Sequence, residues 1–209
     1  MGFGLKISGG DLLPIIKING KEGGVSRSTY DGQNRGEEII DDFVALFDFA
    51  TLRVGWIEFT DKGPDMRLVA IGDPLPDCPG EKFKQGIKLV VLLPGGLGCH
   101  ELATTASGVL GALEAIYDAA TSAPEWSQGK VPVVRLASFE KKKTKHGNIA
   151  VPTFELLDWK DRPAELNAHR ASPKPRAALP SQQAKPAETG STQITPPAAA
   201  AKKPVPEFG

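Results

Sequence analysis

The chain has 209 residues, with 25 Lys+Arg, 25 Asp+Glu and 40% hydrophobic residues, enough for one domain with a substantial core. No stretch approaches the ~18 uncharged apolar residues of a spanning helix. The start, Met1-Gly2-Phe3-Gly4-Leu5-Lys6, lacks a charged segment followed by an apolar run, so neither membrane insertion nor secretion is expected. Two cysteines, Cys78 and Cys99, do not make a disulfide framework, which points to a reducing cytoplasm.

Residues 19–36 are glycine-rich and polar and predict a long mobile loop. Residues 37–48 follow, with Ile39, Ile40, Phe43, Val44, Leu46 and Phe47 on one helical stripe and Glu37, Glu38, Asp41 and Asp42 crowding its start, where the helix dipole favours acidic groups. An N-terminal helix is therefore expected there. Residues 52–59 are rich in β-formers, Asp61-Lys62-Gly63-Pro64-Asp65 makes a turn, and residues 67–71 read as the returning strand. After a proline-rich loop, residues 83–93 form a long strand. Beyond the glycine turn at Gly95–Gly98, Leu102, Ala106, Val109, Leu110, Leu113, Ile116 and Tyr117 recur at helical spacing up to Ala120. Gly108 and Gly111 inside this helix imply a close neighbour, since each costs roughly 1 kcal/mol against alanine. Residues 131–140 and 148–159 are strand-like and are joined by a lysine-rich hairpin loop, residues 141–147.

From Pro163 the composition changes. The last 47 residues hold nine of the eighteen prolines, eleven alanines and one aromatic, Phe208. Such a segment cannot bury enough apolar surface to offset its ordering entropy, so a disordered tail over 163–209 is expected behind one domain over 1–162. Its end, Glu207-Phe208-Gly209, is either a docking motif or a cloning remnant.

The order strand, strand, strand, helix, strand, strand after an N-terminal helical extension is that of the oligonucleotide/oligosaccharide-binding (OB) fold. This is a mainly β, five-stranded barrel with a helix between strands three and four, whose ligands lie across strands two and three. The expected fold is an OB-like barrel of this kind.

The strongest chemical signal is charge. Residues 130–147 contain Lys130, Arg135, Lys141, Lys142, Lys143 and Lys145 against Glu140 alone, whereas residues 1–162 as a whole are net acidic. Closely spaced cations suit nucleic-acid phosphates, because binding releases counterions. Strand alternation puts Arg135, Phe139 and Lys141 on one side, a cation–aromatic–cation row suited to following a backbone while stacking a base. Lys84 and Lys88 share one face of their strand, Arg53 and Phe59 one side of theirs, and Lys62 sits at the adjoining turn. The plainer reading is that the lysines keep a protruding hairpin soluble. Trp56, Trp126 and Trp159 are further stacking candidates, each with an ordinary core or rim role as the alternative.

The rival site is the Gly95–Gly98 turn, where a strand, a turn and a helix start could present N–H groups to a phosphate. It lacks the Gly-Lys-Ser/Thr ending of a Walker loop, and Glu101 stands where a dinucleotide fingerprint needs glycine or alanine. Cys99 and His100 are adjacent and so poorly placed for a catalytic couple, and Cys78, Cys99, His100 and His146 have no zinc-ligand spacing. No catalytic set, metal site or cofactor is expected.

The OB-type order, the lysine-rich loop before Gly147-Asn148-Ile149-Ala150-Val151-Pro152-Thr153-Phe154-Glu155-Leu156-Leu157-Asp158-Trp159, and the Pro/Ala-rich tail together resemble bacteriophage-type single-stranded DNA-binding proteins over roughly residues 50–160 plus the tail. The resemblance implies a non-enzymatic, sequence-tolerant protein of DNA replication or recombination in a host cytoplasm, and a homo-oligomer is compatible with it. Its partners would be single-stranded DNA, with RNA as the alternative, and replication proteins reached through the tail. Acidic tails are common in that family; this one is net basic. Two other readings remain: a phage-associated assembly module without nucleic-acid binding, and a nucleotide-binding enzyme using the Gly95–Gly98 turn.

Overall fold

A computed structural model describes residues 13–30, 35–60, 63–144 and 147–169. Within these, β1 (Ile15–Ile18), β2 (Val25–Tyr30) and β3 (Arg35–Ile40) form an N-terminal meander. The long β4 (Val44–Thr60) and β5 (Gly63–Ala70) follow, then β6 (Lys84–Leu93) and β7 (Gly98–Thr104). Two helices, α1 (Ser107–Thr121) and the short α2 (Pro124–Ser127), lead into β8 (Val131–Thr144) and β9 (Gly147–Lys160), and α3 (Ala164–Asn167) comes last.

The fold is mainly β. The strands pair in the order β3-β2-β1-β7-β6-β4-β8-β9, with β5 on the second half of β4. All pairings are antiparallel except β1 with β7. This path ends at β3 and β9, so the sheet is mixed and open, and the expected closed five-stranded barrel is not formed. One backbone bond, Ala150 N–H to the Gly20 carbonyl at 2.9 Å, ties β9 to the β1–β2 turn.

The centre of the sheet is β4. Ala45, Phe47 and Phe49 face a core shared with Leu89 and Val91 of β6 and with Val109, Leu113, Ile116 and Ala120 of α1. Leu46 faces the other way, into a smaller cluster built on Val90, Val131 and Leu166. Between Asp48 and Arg53 the register with β6 shifts. Side chains satisfy the displaced backbone: Thr51 Oγ1 accepts the Val90 N–H at 2.9 Å and donates to the Asp48 carbonyl at 2.7 Å.

Four expectations change here. The helix expected over 37–48 is instead the end of β3 and the start of β4. An apolar run buried on both faces has no clean period of two and mimics a helical stripe. Residues 19–36 are not one long loop, since β2 and the start of β3 take up eight of them, although residues 31–34 lie outside the described residues. Gly23 (φ 87°) and Gly24 (φ 113°) take the left-handed region in a tight turn, in which Asn19 Oδ1 accepts the N–H groups of Lys21 and Glu22. Residues 98–104 form β7 rather than the entry to a helix. Finally, the folded body passes Pro163: Leu166 of α3 is completely buried, and Arg162 makes a bidentate contact to the buried Asp48 at 2.5 and 2.7 Å. Residues 170–209, which include most of the expected tail, lie outside the described residues.

Close packing at the α1 glycines holds for one of the two. A Cβ on Gly108 would stand 3.1 Å from Val151 Cγ2, whereas one on Gly111 would meet nothing within 4 Å.

Candidate nucleic-acid interface

The β8–β9 hairpin carries the basic segment. Its register runs from Val131 opposite Lys160 to Thr144 opposite Gly147, so Lys141, Lys142 and Lys143 are part of the strand rather than of a loop. All three are exposed. Consecutive strand positions alternate between faces, so these lysines present charge on both sides of the arm. Lys142 pairs with Glu140 at 3.1 Å, while Lys141 and Lys143 have no ion-pair partner among the described residues. Lys145, like Lys62, lies outside the described residues.

The expected row of Arg135, Phe139 and Lys141 does not form. A second register shift falls between Leu136 and Ser138, where Ala137 is the extra residue. It resets the alternation: Val134 and Leu136 point into the core before it, and Phe139 does so after it. Arg135 is therefore left on the opposite face from Phe139 and Lys141. It pairs with Glu155 at 2.7 Å, which raises its already high pKa. Phe139 packs on the β1–β2 turn, where a Cβ on Gly23 would lie 3.1 Å from its ring. The ring fills a structural gap and offers no open stacking face on that side.

Further cations lie on β4 and β6. Lys84 and Lys88 lie on one face of β6, with Leu89 and Val91 buried on the other. Lys88 stands directly opposite Arg53 in the β4–β6 register, and Lys84 opposite Ile57. Arg53 and Phe59 share that face of β4, and Phe59 is 57% exposed. Two cations opposite one another repel. The strain is relieved on one side only, because Lys88 pairs with Glu101 of β7 whereas Arg53 has no ion-pair partner among the described residues. Glu101 and Glu155, which neutralise Lys88 and Arg135, were not found by sequence reasoning, since only the register brings them across a strand.

The two basic groups lie towards opposite ends of β4. β8 pairs with Val44–Leu46 and runs beyond the start of β4, whereas Arg53, Lys84 and Lys88 belong to its second half. Of the tryptophans, Trp126 packs against Phe49 and Tyr117, Trp159 packs on the main core, and Trp56 donates its Nε1–H to the Pro76 carbonyl at 2.8 Å.

The rival phosphate site is removed. Gly95, Gly96 and Gly98 form the β6–β7 hairpin turn with φ of 72–77°, and α1 begins only at Ser107, so no helix N-terminus faces the turn. Cys99 and His100, being successive strand residues, face opposite sides of the sheet. Burial raises the Cys99 thiol pKa, helped by Glu165 and Asp48. His100 is fully buried; burial lowers its pKa, the Gly98 carbonyl on Nδ1 opposes this, and Arg27 adds to it, so the ring is neutral near pH 7. Among the described residues no three His, Cys, Asp or Glu side chains cluster to hold a metal ion, and no helix is long and apolar enough to cross a membrane.

No protein-family model, curated protein or solved structure matches this chain.

Proposed function

We propose that this protein binds single-stranded DNA without enzymatic activity and with little sequence preference, in phage-type DNA replication or recombination. The observation that carries the reading is the β8–β9 arm, which holds three consecutive exposed lysines of which two have no ion-pair partner among the described residues. A stiff, cationic ribbon of this kind suits a flexible polyanion, whose binding is driven by counterion release.

The element order supports the same reading. Counting β4, β6 and β7 as strands one to three, α1 as the intervening helix, and β8 and β9 as strands four and five reproduces the OB order, with β5 as an insertion after the first strand. The lysine arm then corresponds to the loop between strands four and five. The β4–β5 tip, with exposed Phe59, falls in the connection between strands one and two. These are the two loops that flank the ligand in that fold. Base stacking in this reading passes from Phe139 to Phe59.

Fluorescence anisotropy with labelled oligo-dT at low and high salt tests the reading. Binding that weakens steeply with salt is expected. The absence of binding at low salt would refute it and favour an assembly module that uses the hairpin only for solubility.

A further inference from the structure

A groove of about 420 Å³ lies between α1 and the sheet, where Val54 and Ile87 are on the opposite strand face from Arg53 and Lys88. Val54 and Ile87 form its floor, Leu110 and Leu113 of α1 one wall, and Ile71 and Leu75 of the β5–β6 connection the other. Ile71 is 42% and Leu75 50% exposed, so the wall presents apolar surface that the fold itself does not cover. The connection is held in place. Pro74, Pro76 and Pro79 restrict its backbone, Trp56 Nε1 donates to the Pro76 carbonyl at 2.8 Å, and the Asp73 N–H donates to the Ala70 carbonyl at 3.1 Å. A preformed apolar wall reduces the ordering cost of anything that docks there.

Glu114 and Asp118 stand on the same groove, one turn apart on α1. Both are exposed, and neither has an ion-pair partner among the described residues. Like charges four residues apart weaken a helix, so this pair does not serve α1 itself. Two exposed carboxylates repel a nucleic-acid backbone and attract a cation. The α1 wall from Leu110 to Asp118 is about 12 Å long, room for about four residues of extended chain.

We propose that this groove docks a short segment of a partner protein, with a large apolar side chain seated against Leu110, Leu113 and Ile87 and an adjacent Lys or Arg held by Glu114 and Asp118. The occupant is basic and apolar, the reverse of the polyanion proposed for the β8–β9 arm, and the inference does not depend on that reading.

The test uses the whole chain and two labelled peptides that differ only in charge, Gly-Lys-Lys-Phe-Leu-Lys-Gly and Gly-Glu-Glu-Phe-Leu-Glu-Gly, followed by anisotropy. The basic peptide should bind at least about tenfold more tightly than the acidic one, the ratio that about 1.4 kcal/mol corresponds to. The double variant Glu114→Gln/Asp118→Asn should remove that preference. Leu75→Glu, at an already exposed position, should abolish binding of the acidic peptide and weaken that of the basic one. Equal binding of the two peptides, no binding of the basic one, or a preference that survives the double variant would each overturn the proposal. Oligo-dT affinity should stay unchanged in Leu75→Glu; its loss would assign the groove to the nucleic-acid interface instead.

Discussion

Replacing Lys141 and Lys143 with alanine removes the two hairpin cations that have no ion-pair partner among the described residues. Each neutralised phosphate contributes about −0.7 to the slope of log affinity against log salt for a single strand. Loss of two contacts should therefore flatten the slope by up to about 1.4, a change of about 25-fold in relative affinity over a tenfold range of salt. Lys142 is different, because a phosphate must first displace Glu140. That exposed pair costs at most about 1 kcal/mol to break. Glu140→Gln should accordingly raise affinity and steepen the slope by up to about 0.7 as Lys142 becomes available. Titrations of labelled oligo-dT at four salt concentrations, on wild type and both variants, give the three slopes. If the lines are parallel, the hairpin does not neutralise phosphates and the proposed interface is wrong, whatever the variants do to solubility.

Phe139→Ala should cost about 2–3 kcal/mol in urea unfolding, because the ring fills the space beside Gly23, and should leave the salt slope unchanged; an intact midpoint with lost oligo-dT affinity would return the ring to a stacking role. Arg162→Ala strands the buried Asp48 carboxylate and should destabilise the chain by about 3–5 kcal/mol, measured the same way; a loss under about 0.5 kcal/mol would show that the contact between the segment following β9 and β4 carries no weight. Gly111→Ala should stabilise by up to about 1 kcal/mol, whereas Gly108→Ala meets Val151 and should gain less or lose stability; the reverse order in thermal unfolding would contradict the packing of α1 on β9. His100 is held neutral, its pKa depressed below the ordinary 6.5, so the unfolded chain binds a proton near pH 6.5 that the folded chain does not. Its contribution is complete above pH 6.5 and falls as the pH drops towards the folded pKa, no more steeply than about 1.4 kcal/mol per pH unit. His100→Phe should flatten the stability profile between pH 7.5 and 5.5, and an unchanged profile would refute the assignment.

Several elements were legible because their own residues carry the pattern. Val109, Leu113, Ile116 and Ala120 mark the buried stripe of α1, and the alternation of the Val131–Glu140 and Asn148–Trp159 segments marks a hairpin, which the structure extends to Thr144 and Gly147. The shared face of Lys84 and Lys88, and that of Arg53 and Phe59, followed from the strand period alone. The N-terminal strands were not legible for local reasons. In residues 37–48, Phe43, Ala45 and Phe47 bury one face while Leu46 and Asp48 bury the other, so polarity does not alternate and a helical stripe fits equally well. β7 was hidden behind a glycine run that can end in either a helix or a hairpin.

For the candidate site, the sequence alone determined which residues carry charge and that lysines crowd a hairpin. Composition and spacing are properties of the chain and survive any fold. Tertiary structure decided which of those charges remain free. One extra residue at Ala137 turned Arg135 away from Phe139, and strand register placed Glu155 on Arg135 and Glu101 on Lys88 while leaving Arg53, Lys141 and Lys143 without an ion-pair partner among the described residues. It also set apolar Ile71 and Leu75 across a groove from Glu114 and Asp118, about forty positions away along the chain. The reason is that a strand's side-chain period is two: a single bulge or a one-residue shift of register exchanges the faces, and long-range pairing, which no local pattern encodes, fixes both.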